Sequence, residues 1–153
     1  MAVRDIWERI YRVEALLDAL EARTFINYDK GTWTPTYLGG TTPGVTTYVV
    51  QKGEWTRWGR LVHFQGRLEW SAATGTGNAQ FSLPFTAVNR TNLFGSGSVD
   101  NTTVTFANGT PQMLLQPSVS VFLLRSPLTN AGSAIVQIEA AGIVNFSGVY
   151  EVA

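Results

Sequence analysis

The chain has 153 residues, no cysteine, and a formal net charge of zero with only 14% of residues charged. That length suits about one domain, large enough to bury roughly two-thirds of the unfolded surface, so folding requires no disulfide or metal. Disulfide frameworks, thiolate metal sites and thiol catalysis are excluded. The lysines are Lys30 and Lys52 alone, which is not the basic patch of a nucleic-acid binder. No apolar run approaches the roughly 20 residues of a membrane span. Charges within MAVRDIWERI argue against a cleaved signal peptide. The expectation is a chain that binds no nucleic acid and inserts into no membrane.

Composition breaks near residue 25. Residues 2–24 hold nine charged side chains and neither Gly nor Pro, whereas residues 66–153 hold seven charges and are rich in Gly, Thr, Ser, Asn and Val. The first region predicts helix, the second strands punctuated by turns. Val3, Ile6, Ile10, Val13, Leu17, Leu20 and Thr24 are spaced 3-4-3-4-3-4, the a/d seam of a coiled coil. Trp7 at an e position and Leu16 at a g position widen the apolar face. Ile at both a and d shifts preference beyond dimers, so the expected state is a homotrimer with Val3, Ile6, Ile10, Val13, Leu17 and Leu20 as oligomerisation residues. The competing reading is an amphipathic helix docked on its own domain.

Residues 25–36 predict a junction, because Gly31 and Pro35 stop any helix, and 39–44 a turn-rich loop. Strand candidates follow at Val45–Val50, Glu54–Trp58, Arg60–Trp70, Ala79–Leu83, Asn92–Val99, Thr102–Phe106, Gln112–Leu115, Val119–Leu124, Ala134–Glu139 and Val144–Val152. In Arg60–Trp70 the residues alternate, with Val62, Phe64, Gly66, Leu68 and Trp70 on the face expected to be buried. Gly66 in mid-strand suggests a bulge or a close approach. The predicted class is mainly β: a trimeric coiled-coil helix over 1–25, a junction and loop over 26–44, and a β-sandwich or jelly roll over 45–153, with 31–44 packing onto it.

Residues suited to catalysis are few. The one histidine, His63, lies on the polar face of its strand, and a general base needs an orienting partner. Metal sites need several ligands. Outside the helix the carboxylates are Asp29, Glu54, Glu69, Asp100, Glu139 and Glu151, a thin supply for the carboxylate pair of a glycosidase. The expectation is no enzyme, no cofactor and no metal, with a polysaccharide-active enzyme as a minor alternative. The stretches Gly75–Asn78 and Gly95–Ser98 lack the lysine and helix of a phosphate loop. The Asn-x-Ser/Thr triplets at Asn89, Asn101, Asn108 and Asn145 are read as by-products of composition.

The aromatic residues offer more. Trp33, Trp55, Trp58 and Trp70 fall within forty residues of one another, with Tyr37 and Tyr48. Exposed aromatics stack on sugars and anchor interfaces, although tryptophan in a small β-domain is usually core. Trp55 and Trp58 are three apart, so a regular strand points them to opposite faces. Tyr37, Trp55, Trp58 and His63 are the candidate ligand or partner contacts.

Gly31-Thr32-Trp33-Thr34-Pro35, then Tyr48, then Gly53-Glu54-Trp55-Thr56-Arg57-Trp58-Gly59-Arg60-Leu61-Val62-His63-Phe64-Gln65-Gly66-Arg67, then Leu83-Pro84-Phe85, resemble the G-x-W-T-P modules of tailed-bacteriophage tail fibres, tailspikes and head fibres. The resemblance covers residues 31–86. It implies a trimeric virion protein in which a β-sandwich follows a stalk. Gly31, Trp33, Pro35 and Gly59 then read as fold residues, Pro35 at a strand entry and Gly59 in a tight connection. Two virion roles follow. One is a short fibre or spike held by its helix in a neck, tail or capsid protein and touching the host surface, with a host glycan as a possible partner. The other is a capsid decoration protein that cements the head.

Overall fold

The computed structural model describes residues 3–24, 27–90, 95–100, 103–106, 111–127 and 132–153. Their elements run α1 (Val3–Thr24), β1 (Tyr28–Trp33), β2 (Tyr37–Gly39), β3 (Thr46–Trp58), β4 (Leu61–Ala73), β5 (Ala79–Ser82), β6 (Ser96–Asp100), β7 (Gln112–Leu115), β8 (Val121–Pro127), β9 (Ser133–Ile135) and β10 (Gly142–Glu151). The protein is therefore mainly β with one N-terminal helix.

Helix α1 follows from its 22-residue stretch without Gly or Pro. Every described side chain on it, from Arg4 to Ala19, is exposed, including Ile6, Ile10, Val13 and Leu17. None is buried against the β-domain, so the alternative of a helix docked on its own domain is not what the structure shows. The side chains of Val3 and Leu20 lie outside the described residues.

The strands form two antiparallel sheets, β1-β3-β4-β10-β6 and β2-β5-β8-β7, with β9 paired to β8. Their facing sides share one core, centred on Tyr37, Phe64, Trp70, Phe81, Phe122 and Phe146. Phe81 stacks on Phe122 at 5.0 Å, and Phe122 reaches across to Phe146 at 5.1 Å. The alternation in β4 holds: Val62, Phe64, Leu68 and Trp70 are buried.

The structure differs from the sequence expectation in five places, one being the candidate Ala134–Glu139, of which only Ala134 and Ile135 lie in a strand, β9, with an isolated bridge at Gln137. The segment read as a junction contains β1, which pairs along its full length with β3. The 26–44 stretch read as junction and loop also contains β2, Tyr37–Gly39, which overlaps the 39–44 loop only at Gly39. Val45–Val50 and Glu54–Trp58 are parts of one strand, β3, that runs through Gly53 unbroken. Thr103–Phe106 is not a strand; its backbone is held instead by bonds from Thr103 N–H to the Ile143 carbonyl and from Thr105 N–H to Glu139 Oε1. Residues 92–94 and Thr102, assigned to strands from the sequence, lie outside the described residues, as do Asn101 and Asn108.

The connection between β3 and β4 is the two-residue loop Gly59–Arg60. Gly59 has φ +58°, the left-handed region that tight hairpin loops require and glycine adopts without a Cβ clash. Pro35, between β1 and β2, is fully buried and its carbonyl accepts a bond from Gln51 Nε2 at 2.9 Å.

Candidate functional site

Cross-strand register decides what each face of the five-stranded sheet carries. On the inner face, aromatic residues stand opposite glycines. Gly31 pairs with Trp55 and Trp33 with Gly53 across β1 and β3. Phe146 pairs with Gly66, Gly148 with Phe64 and Gly142 with Trp70 across β4 and β10. Each ring fills its glycine's missing side-chain space: a Cβ on Gly53 would fall 2.5 Å from Trp33, one on Gly66 2.5 Å from Phe146, and one on Gly31 2.8 Å from Trp55. Aromatic covering of cross-strand glycines is a known device for holding register. Gly66 is thus a close approach and not a bulge, since the β3–β4 register is continuous there.

Of the residues singled out in the sequence, Tyr37 and Trp55 turn toward the core at separate places, Tyr37 against Trp70 and Phe81 and Trp55 beside Phe85. Trp55 stands edge-on to Phe85 at 4.8 Å, and Arg57 lies over the same ring at 5.7 Å. The Tyr150 hydroxyl accepts from Phe85 N–H at 3.0 Å and donates to the Phe85 carbonyl at 2.9 Å. Tyr37 is wholly buried. Its hydroxyl accepts from Glu139 N–H at 2.8 Å, and burial pushes its pKa up to about 12. Burial likewise raises the Tyr150 phenol. Tyr37 and Trp55, proposed from sequence as contact residues, therefore face the core. Tyr37 is unavailable to a ligand, and Trp55 is half-buried against its own domain. Trp33 is half-buried against Phe64 and Phe146. Trp58 points the other way and is 43% exposed.

The outer face of the same sheet gathers the remaining polar side chains into rows. Lys52, Arg67, Asn145 and Asp100 stand side by side across β3, β4, β10 and β6. Thr32, Glu54, Gln65, Ser147 and Ser98 form the next row, and Lys30, Thr56 and His63 the one after. Two adjoining hollows of about 380 and 400 Å³ lie along these rows and share Glu54 and Gln65. Gln65 Nε2 donates to Glu54 Oε2 at 3.4 Å, Arg67 bonds Glu69 at 2.9 Å, and the Ser98 and Ser147 hydroxyls lie 2.7 Å apart. Among the described residues neither lysine has an ion pair, and the buried Oδ1 of Asn145 has no partner. Beyond the third row the surface turns apolar: Tyr28 and Trp58 rings are 5.7 Å apart beside exposed Leu61.

Of the four contact candidates, the structure brings Trp58 and His63 to this outer face. Sequence reading missed Lys52, Glu54, Gln65, Arg67 and Asn145 as a group. The polar half of the β4 alternation was the available signal for one wall of it. Among the described residues no three His, Asp or Glu side chains come together to hold a metal ion. No protein family, curated protein or solved structure matches the chain.

Proposed function

We propose that this chain is a homotrimeric structural protein of a virus particle, a short fibre or spike. Helix α1 forms a three-stranded coiled coil and anchors the trimer in another virion protein, and the β-domain, read as a β-sandwich, meets the host surface. The observation that carries the oligomer is the exposure of Ile6, Ile10, Val13 and Leu17, each at least 38% exposed and all on the a/d seam. A helix of this length is marginal alone in water, and a contiguous apolar stripe left bare marks an interaction surface. Flanking Trp7 and Leu16 are also exposed, which suits a seam wider than a dimer's. The virion assignment rests on the resemblance of residues 31–86 to bacteriophage fibre modules. In the fold Gly31, Trp33, Gly53, Trp55 and Phe85 interlock in one cluster, which accords with their reading as fold residues.

Light scattering tests the assembly directly. The expected mass is three times that of the 16.7 kDa chain, falling to one chain in Ile10→Asp with the β-domain still folded. An unchanged mass in the variant sinks the coiled-coil trimer. Particles lacking the protein separate attachment from cementing. Loss of host adsorption with unaltered capsid heat resistance supports the fibre, and the reverse outcome supports capsid decoration.

A further inference from the structure

We propose that the outer face of the five-stranded sheet is a carbohydrate-binding trough, and that its ligand is an uncharged polysaccharide segment. This rests on the attachment reading above and names the surface and the ligand class. The two hollows run across all five strands, a span of about 20 Å at 4.8 Å per strand. Their walls alternate in chemistry. Lys52 and Lys30 only donate, Glu54 and Asp100 only accept, and Gln65 and Asn145 do both. A sugar hydroxyl also donates and accepts, so a polyol can satisfy every one of these groups.

The same mixture selects against charged ligands. A polyanion meets Glu54 and Asp100, and a polycation meets Lys30 and Lys52, inside one trough. An apolar peptide leaves these polar groups desolvated and unpaired. At the end of the trough beside Thr56 and His63, exposed Trp58 offers an aromatic face on which a pyranose ring can stack. A binding site with few partners per protomer is weak singly, and three copies on one trimer raise its avidity without new contacts.

The test is an amide NMR titration of the full chain with four neutral hexaoses (gluco-, manno-, galacto- and N-acetylglucosamine-type), with a heparin hexasaccharide as the anionic control. Light scattering is run on the same samples. The expected result is saturable shifts from at least one neutral hexaose, confined to residues 30–32, 52–58, 63–67, 98–100 and 145–147, and no saturation by heparin. The double variant Gln65→Ala with Asn145→Ala, its melting temperature measured alongside, is expected to bind about tenfold more weakly, the effect of losing about two hydrogen bonds. Absence of shifts with all four neutral hexaoses, shifts mapping elsewhere, or preference for heparin overturns the proposal. The mass is read independently. Shifts in a monomer refute the trimer and leave the trough standing; a trimer without shifts refutes the trough alone.

Discussion

The indole of Trp33 occupies the space in which a side chain at Gly53 would stand, and the indole of Trp55 does the same for Gly31. The two Gly–Trp pairs are reciprocal across β1 and β3, so sliding β1 by one residue would set Trp33 against Lys52 or Glu54, turn its ring to the outer face and take Gly31 away from Trp55. Gly53→Ala is expected to destabilise the domain by about 1–3 kcal/mol through overpacking. Gly132→Ala, which meets nothing within 4 Å, is expected to stay within about 0.5 kcal/mol of wild type. Urea denaturation measures both. If the ring is the obstacle, the cost of Gly53→Ala shrinks in a Trp33→Leu background, and a double-mutant cycle shows it. Strict additivity would refute the steric account.

That pairing also explains how far the fold was legible. The periodicity of residues 3–24 and the alternation of 61–70 are local, and both elements stand where the sequence puts them. Gly31, Gly53 and Pro35 carry local turn signals, so β1 was read as a junction and β3 as two strands. What keeps Gly53 in a strand is Trp33, twenty residues away and on another strand. The outer trough was hidden for the same reason. Its rows join residues as distant as Lys52 and Asn145, and only register makes them neighbours. The inward turn of Tyr37 and Trp55 depends on partners at Glu139 and Phe85, which no local pattern announces.

Tyr150 ties β10 to the Leu83–Phe85 segment through both backbone groups of Phe85. Tyr150→Phe keeps the ring and its edge contact with Phe64 at 5.5 Å but strands a part-buried N–H and C=O. The expected cost is about 1–3 kcal/mol, read as a lowered urea midpoint with unchanged slope. Hydrogen exchange at Phe85 should quicken beyond the global change. A neutral substitution would mean that water replaces the phenol freely.

Alkaline pH probes the buried phenols. The Tyr37 pKa stands at about 12 in the folded protein against 10.0 for an unperturbed tyrosine, and Tyr150 is raised for the same reason, burial. Above pH 10 the unfolded chain releases these protons first, so the folded state binds more protons and stability falls as pH rises. The contribution is fully present below pH 10 and for Tyr37 is lost through about pH 12. A melting-temperature series should show this alkaline decline, and Tyr37→Phe should flatten part of it. A flat profile from pH 10 to 12 would contradict the burial of these hydroxyls.

Trp55 and Trp58 offer the sharpest contrast, because three positions on one strand separate a wedge from a platform. Trp55 fills the gap over Gly31 and braces Phe85, so Trp55→Ala leaves a cavity over Gly31 and beside Phe85 and is expected to cost about 3 kcal/mol, the lower end for such a truncation because the ring is only half-buried. Trp58 lies on the outer face against Tyr28 and is 43% exposed, so removing it loses a ring contact worth about 0.5–1.5 kcal/mol beyond the area it covers and is expected to cost less than Trp55→Ala. Denaturation midpoints of the two alanine variants separate these values. Acrylamide quenching supplies a second measure: Trp58→Ala should lower the quenchable fraction of emission, and Trp55→Ala should not. A larger cost for Trp58→Ala than for Trp55→Ala would mean that β3 presents the opposite face to the core, and the outer rows of Lys52, Glu54 and Thr56 would then be misplaced as well.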